Sequence, residues 1–429
     1  MSGSELPDPS CGPDSAFLAK QHILFSLRHA KFLPTPYQAE DSNRMSLAYF
    51  CLASLAVLPA SAVVSPAEPD QSALEVMLKP SQRAGFCDWV YRQQAPSGGF
   101  RGSDSVTVPL SPGGSTADDP ANIIQTYTAL LVLGLFDDDF TRLDRAGLKR
   151  FLRACQNADG SFAQFPGCLE AGDPRSSYSA FALCSMLDDW SCIDVEQGLA
   201  FLECCRSHEG AYAQRPGLEA NAGPTYCVVA SYSLAARLHT IPHPDRLLRW
   251  LVGRQVRPPP PAPDADSDSD PEESDARDSL IPNRGDTGDA GPLARTPGSE
   301  QPTAFHIAGF QGRANKPTDA CYSFWNTAAL SILVPSVSPR LALTDLVDPS
   351  LDRAWLLSCQ HPVFGGIARE PDATPDVYHT YLSLAALALG DTTNGSEKSS
   401  RLGLATLDAA WNVPIRVAAR MRDRLWNDT

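Results

Sequence analysis

The sequence opens without a basic stretch followed by a short apolar run, so a chain with no secretory leader is expected. Positive charge is in deficit. With 35 Lys and Arg against 50 Asp and Glu, the net charge is −15, which disfavours nucleic acid or an anionic membrane surface as the main partner. Clean apolar runs of membrane-spanning length are also missing. Leu47 to Val64 comes nearest, but Pro59 interrupts it and its alanines and serines weaken it, so a buried core helix is expected there. Cysteine is not scarce at 12 residues. Cys51, Cys184, Cys204, Cys205 and Cys227 nevertheless fall in apolar segments, which fits free thiols in a reducing, cytoplasmic compartment better than a disulfide framework.

What is present suits a globular chain of one large domain or two, 429 residues long and 43% hydrophobic. Much of the acidic excess is local. Residues 255–303 hold Arg257-Pro-Pro-Pro-Pro-Ala-Pro-Asp264, then Asp266-Ser-Asp-Ser-Asp270-Pro-Glu-Glu273-Ser-Asp275, then a Gly, Pro and Thr-rich stretch. Such composition cannot bury enough apolar surface to fold, and a disordered insertion is expected, with an acidic tether for basic partners as the alternative.

Around it the chain repeats. Helical patterns end in a Gln or Cys-Gln and turn through glycine, as in Gln94-Ala-Pro-Ser-Gly98-Gly99-Phe100, Cys155-Gln156-Asn-Ala-Asp159-Gly160, Cys205-Arg-Ser-His208-Glu209-Gly210, Gly309-Phe310-Gln311-Gly312 and Cys359-Gln360-His-Pro-Val-Phe364-Gly365-Gly366. Ile123–Leu135, Tyr178–Leu187, Tyr226–Leu238, Tyr322–Leu333 and Tyr378–Leu389 are apolar at helical spacing and are expected to be inner helices. Leu143–Ala154 and Val195–Cys205 carry more charge on one face and are expected outside. Such pairs closing on themselves give an all-α fold, an α/α barrel; left open, they give a solenoid. The expected division is a flexible N-terminus at 1–15, barrel at 16–254 and 304–418, and a tail at 419–429.

Chemistry concentrates in Asp319-Ala-Cys321-Tyr322-Ser-Phe-Trp325 and Asp376-Val-Tyr-His379. Asp319, Cys321 and His379 offer one carboxylate, one thiolate and one imidazole, a set with which zinc keeps a fourth position open for substrate. Taken singly, they read first as a helix N-cap, a small buried hydrophobe and a helix-face histidine. Arg313 and Lys316 just upstream and Tyr322 beside the cysteine favour the chemical reading, and point to an anionic leaving group.

These motifs, Gly312-Arg313-Ala-Asn315-Lys316-Pro-Thr-Asp319 among them, resemble the β subunits of protein prenyltransferases over about residues 15 to 415 without the insertion. The glycine turns alone also occur in terpene cyclases, whose acidic motif is not seen here. Among the prenyltransferases, Asn315-Lys316-Pro317-Thr318-Asp319, Phe100-Arg101-Gly102-Ser103 and Gln125-Thr126-Tyr127-Thr128 are closest to geranylgeranyltransferase type I. The alternatives are a farnesyltransferase or Rab geranylgeranyltransferase β subunit, or a non-catalytic helical-repeat scaffold.

The resemblance implies Zn²⁺ on Asp319, Cys321 and His379, with Arg313, Lys316, Tyr322 and Arg369 stabilising the diphosphate leaving group. Arg369 stands where farnesyltransferases bind Mg²⁺ through an aspartate, so Mg²⁺ is expected to be dispensable. Phe50, Arg175, Tyr178, Cys227 and Trp325 are implied to wall the lipid pocket. Ser46 and Leu382 occupy positions that farnesyltransferases fill with tryptophan and tyrosine, leaving room for one more isoprene unit. Asn221 stands where the family usually has a diphosphate-binding histidine; it reads equally as a surface-turn asparagine. The implied partners are an obligate α subunit of helical hairpins, geranylgeranyl diphosphate, and Rho- and Rap-type small GTPases ending in Cys-a-a-Leu.

Overall fold

The computed structural model describes residues 17–65, 71–106, 121–168, 172–257, 307–392 and 402–426. Along them run α1 (Ala19–Lys31), α2 (Arg44–Val57), α3 (Ala73–Met77), α4 (Pro80–Arg92), α5 (Ile123–Leu135), α6 (Arg145–Cys155), α7 (Pro174–Leu187), α8 (Val195–Cys204), α9 (Ala222–Leu234) and α10 (Pro244–Val252). After strands β1 (Gln255–Val256) and β2 (Gly309–Phe310) come α11 (Ala320–Val337), α12 (Pro349–Ser358) and α13 (Val377–Thr392), then β3 (Leu407–Asp408), β4 (Val413–Pro414) and α14 (Ile415–Trp426).

Two kinds of helix follow from two kinds of sequence. In α5 every residue but Ile124 is buried, as suits a helix with neighbours on all sides, and Asn122 caps it by accepting from the backbone N–H of Ile124 at 2.9 Å. In α6 only one stripe is buried, Leu148, Phe151, Leu152 and Cys155, while Arg150 and Arg153 face solvent. Each buried leucine or phenylalanine contributes roughly 1.5–3 kcal/mol. The inner helices α2, α5, α7, α9, α11 and α13 pack each on the next, and α13 packs back on α2. The ring is closed, so the α/α barrel holds and the open solenoid does not.

The glycine turns recur as one structure. Antiparallel bridges close them at Gln94 and Phe100, Gln156 and Phe162, Arg206 and Tyr212, Gln311 and Thr318, and Gln360 and Ile367. Gly98 shows why glycine is needed: its φ is 103°, and a Cβ there would lie 1.9 Å from the carbonyl carbon of Gly147 in α6. Because each turn leads from an outer helix to an inner one, the inner helices run parallel and their N-termini gather at one end of the barrel.

Some boundaries differ from the sequence reading. The run from Leu47 ends as a helix at Val57, and Leu58 and Pro59 are extended. The helix expected to reach Leu238 stops at Leu234, and Cys204 is exposed at the end of α8. Gln255 and Val256 belong to a strand paired with Phe310 and Gly309, so the barrel extends past the expected start of the insertion. The rest of that segment, 258–303, lies outside the described residues, as does 1–15. The expected tail is instead mostly α14: Val417, Ala418, Met421 and Leu425 recur at helical spacing and are buried, and the helix packs on α5 and α7. Cysteines among the described residues are free, and none of the described helices is long and apolar enough to cross a membrane.

Candidate active site

A cavity of about 1300 Å³ opens at the N-terminal ends of the inner helices, and all fifteen residues singled out in the sequence line it. The metal-type triad sits at its mouth. Asp319 caps α11, accepting from the backbone N–H of Cys321 at 2.9 Å, so the N-cap reading of this aspartate holds alongside its place in the triad. His379 lies in the first turn of α13 and brings Nε2 to 3.3 Å from Asp319 Oδ1. The ligand atoms of Asp319, Cys321 and His379 all lie within 4.8 Å of one another.

Asp376, quoted in the sequence without a role, orients this group. One carboxylate oxygen accepts the backbone N–H of His379 at 2.8 Å and the other meets His379 Nδ1 at 2.7 Å, leaving Nε2 to face Asp319. Burial lowers the imidazole pKa, but the Asp376 and Asp319 carboxylates on either side more than reverse this and raise it well above its ordinary value. Burial works against the charge on Asp319 as well, yet His379 and the donors of Cys321 hold its carboxyl below its ordinary value. The Cys321 thiol is pushed up to about 12 by burial and by the Asp319 charge. A point that favours positive charge, ringed by O, N and S donors, has the chemistry of a zinc site, and the residues fit that ion.

Cations stand on the rim. Arg369 is half-exposed with Nε 3.7 Å from Asp319 Oδ2, and its backbone carbonyl accepts from Ala320 N at 2.8 Å, fixing this loop to the start of α11. Arg313 pairs with Glu219, a partner 94 residues away that the sequence reading missed. Lys316 is exposed in the same loop, where Asn315 adopts φ 58°. The Tyr322 ring lies over Gly312, where a Cβ would come within 2.0 Å of it. Asn221 is buried rather than part of a surface turn, and its Oδ1 caps α9 by accepting from Gly223 N at 2.9 Å.

Below the rim the walls are aromatic. Phe50 meets Tyr378 edge-on at 5.5 Å, and Trp325 donates to the Tyr378 hydroxyl at 3.3 Å. Tyr178, Cys227 and Leu382 are buried in the wall. Ser46 is tied through its N–H and hydroxyl to Gln125 Oε1, at 3.2 and 3.1 Å. Arg175 is held by Asp173, Nη2 to Oδ2 at 2.7 Å, so it contributes a fixed cation rather than aromatic surface.

A closed toroid of helical hairpins with a zinc-type triad above a long apolar cavity defines a class of lipid-handling enzymes. The chain belongs to the prenyltransferase alpha-alpha toroid family, whose description matches residues 17–413. It is 30% identical over 388 residues to the geranylgeranyl transferase type-1 subunit beta of Dictyostelium discoideum, covering 86% of this chain and 89% of that one. To the protein of the same name from Arabidopsis thaliana it is 28% identical, covering 94% and 93%. Its fold resembles that of Candida albicans protein geranylgeranyltransferase-I complexed with GGPP, with a TM-score of 0.69, 22% identity, and coverage of 95% and 99%.

Proposed function

We propose that this chain is the catalytic β subunit of a protein geranylgeranyltransferase type I, which transfers a geranylgeranyl group from its diphosphate to the cysteine thiol of a C-terminal Cys-a-a-Leu motif. The observation that carries the reading is the convergence of Asp319, Cys321 and His379 at the mouth of a deep aromatic cavity with Arg313, Lys316 and Arg369 around its rim. The two type-1 β subunits to which the chain is similar over most of its length support it.

In this reading Phe50, Tyr178, Cys227, Trp325 and Leu382 bury the lipid. A twenty-carbon chain gains on the order of 10 kcal/mol from burial at about 0.8 kcal/mol per methylene, before ordering losses. Ser46 and Leu382, small or slender beside the cavity, leave space for the fourth isoprene unit. Asp319, Cys321 and His379 hold zinc, which when bound supplies a Lewis acid that keeps the incoming thiol deprotonated at neutral pH. Arg313, Lys316, Tyr322 and Arg369 face the diphosphate and stabilise the charge that grows on it as the bond to C1 breaks. Asn221 contributes through its amide without charge. Arg369 does the electrostatic work of a magnesium ion, so Mg²⁺ is dispensable.

The partners in this proposal are a prenyltransferase α subunit in an obligate heterodimer and the tails of Rho- and Rap-type small GTPases, in the cytoplasm. The deciding experiment coexpresses the chain with an α subunit. It offers geranylgeranyl and farnesyl diphosphate to peptides ending in Cys-a-a-Leu or Cys-a-a-Ser, with zinc present and magnesium varied. Geranylgeranylation of the leucine peptide without magnesium is expected. Farnesylation of the serine peptide, or transfer to neither, overturns the assignment.

A further inference from the structure

The floor of the cavity is built by an arrangement that the transfer chemistry leaves unused. Tyr127, Tyr178, Tyr226 and Tyr381 are each the fifth residue of their helix, α5, α7, α9 and α13, and Tyr49 is the sixth of α2. Their hydroxyls converge on the turn between β3 and β4, taking its carbonyls one after another. Tyr226 donates to Ala409 O at 2.8 Å, Tyr178 to Ala410 O at 2.9 Å, Tyr127 to Trp411 O at 3.0 Å and Tyr381 to Asn412 O at 2.6 Å; Tyr49 also donates to Asn412 O. The sixth inner helix, α11, has Phe324 at its fifth position, so from that position it sends no hydroxyl to the turn.

The turn is braced from below as well. Asp408 accepts from the backbone N–H groups of Ala410 and Trp411, each at 3.0 Å, and from Arg422 of α14 at 2.8 Å. Trp411 is buried, donates to Ser185 Oγ at 3.2 Å and lies under the Arg422 guanidinium. Asn412 adopts φ 58° and lines the cavity together with Tyr49, Tyr127, Tyr178 and Tyr226.

Four successive backbone carbonyls at the end of an apolar cavity would be costly to leave unpaired. The tyrosines satisfy them, so that their hydroxyls are tied to the turn while Tyr49, Tyr127, Tyr178 and Tyr226 line the cavity. Retreat of the turn would strip all four carbonyls of partners at once. The floor is therefore a rigid stop.

We propose that the 408–412 turn sets the longest isoprenoid the cavity accepts, with Asn412 as a specificity-determining residue and Asp408 as the positioning residue that keeps the turn raised. The inference rests on the lipid-transfer reading and extends it from room for a longer chain to a limit on length.

The test measures the binding of C20 and C25 prenyl diphosphates to the coexpressed heterodimer, for wild type, Asn412→Gly and Asp408→Ala, with thermal unfolding alongside. Asn412→Gly keeps the left-handed backbone while removing the side chain that lines the floor. Both variants are expected to improve C25 affinity relative to C20 by about tenfold or more, the scale on which pocket size discriminates. A C25 to C20 ratio that stays at the wild-type value in Asn412→Gly overturns the inference, even where Asp408→Ala fails to fold. A wild type that binds no prenyl diphosphate overturns the lipid reading itself and the inference with it, whereas C20 binding with an unmoved ratio overturns the inference alone.

Discussion

Asp376 and His379 stand one helical turn apart, and the carboxylate grips the imidazole Nδ1 at 2.7 Å while also capping the helix on which the histidine sits. This contact fixes the orientation of the ring and, in the proposed zinc site, would raise its basicity as a ligand. Asp376→Asn is expected to lower zinc affinity about 10- to 100-fold. Chelator competition with metal analysis reads this directly, and an unchanged affinity would remove Asp376 from the site.

Gly312 makes room for Tyr322. A Cβ there would come within 2.0 Å of the phenol ring, which must then move. Gly312→Ala is expected to reduce kcat on the order of a hundredfold, the effect of misplacing a group by about an ångström. Prenyl diphosphate affinity should change much less. Steady-state kinetics with direct lipid titration separates the two, and full kcat in the variant would show that the position of Tyr322 is immaterial.

His22 joins the first helix to the last glycine turn. Its Nε2 meets Gln360 Oε1 at 2.9 Å and its Nδ1 accepts from Gly366 N at 3.0 Å, a pairing that requires the neutral ring. Burial lowers its pKa to about 4. Between that value and the ordinary 6.5 the unfolded chain binds the extra proton, so stability is complete above about pH 6.5 and falls as the pH drops toward 4, by about 3 kcal/mol. Urea unfolding at several pH values should show this slope, and His22→Gln should flatten it.

Asp352 behaves in the opposite sense. It is buried between α11 and α12, accepts from Ser323 Oγ at 2.6 Å, and burial raises its pKa to about 7. The folded state therefore holds a proton that the unfolded chain has already lost, and stability declines from about pH 4 to pH 7, then levels off. Asp352→Asn keeps an acceptor for Ser323 and should stabilise the protein at pH 8 by up to roughly 4 kcal/mol, with the gain vanishing near pH 4. Equal stability of the two at pH 8 would show that Asp352 pays no penalty for its charge.

The inner helices were legible because a helix buried on all sides announces itself by uncharged, mostly apolar sequence: the run Ile123–Leu135 coincides with α5 at both ends. The triad was legible as a donor set, since Cys321 and Asp319 share one helix start and His379 begins another. What escaped depends on contacts across the chain. Glu219 reaches Arg313 over 94 residues, and the tyrosines of α5, α7 and α9 look like ordinary core until residues 409–411, far away in sequence, supply their partners. The helix α14 was overlooked for a different reason: four arginines within its 12 residues, little more than three turns, mask a narrow apolar stripe.

The pairing of Gln255 with Phe310 and of Val256 with Gly309 holds the two flanks of the long acidic segment side by side. A junction of this kind works as a splice point. The energetic demand on whatever chain connects its two ends grows only with the logarithm of length, so the barrel is expected to tolerate shortening, lengthening or wholesale replacement there. A reporter domain or an affinity tag inserted between these strands is expected to leave the hairpins of the toroid intact, their two ends being already held by this pairing.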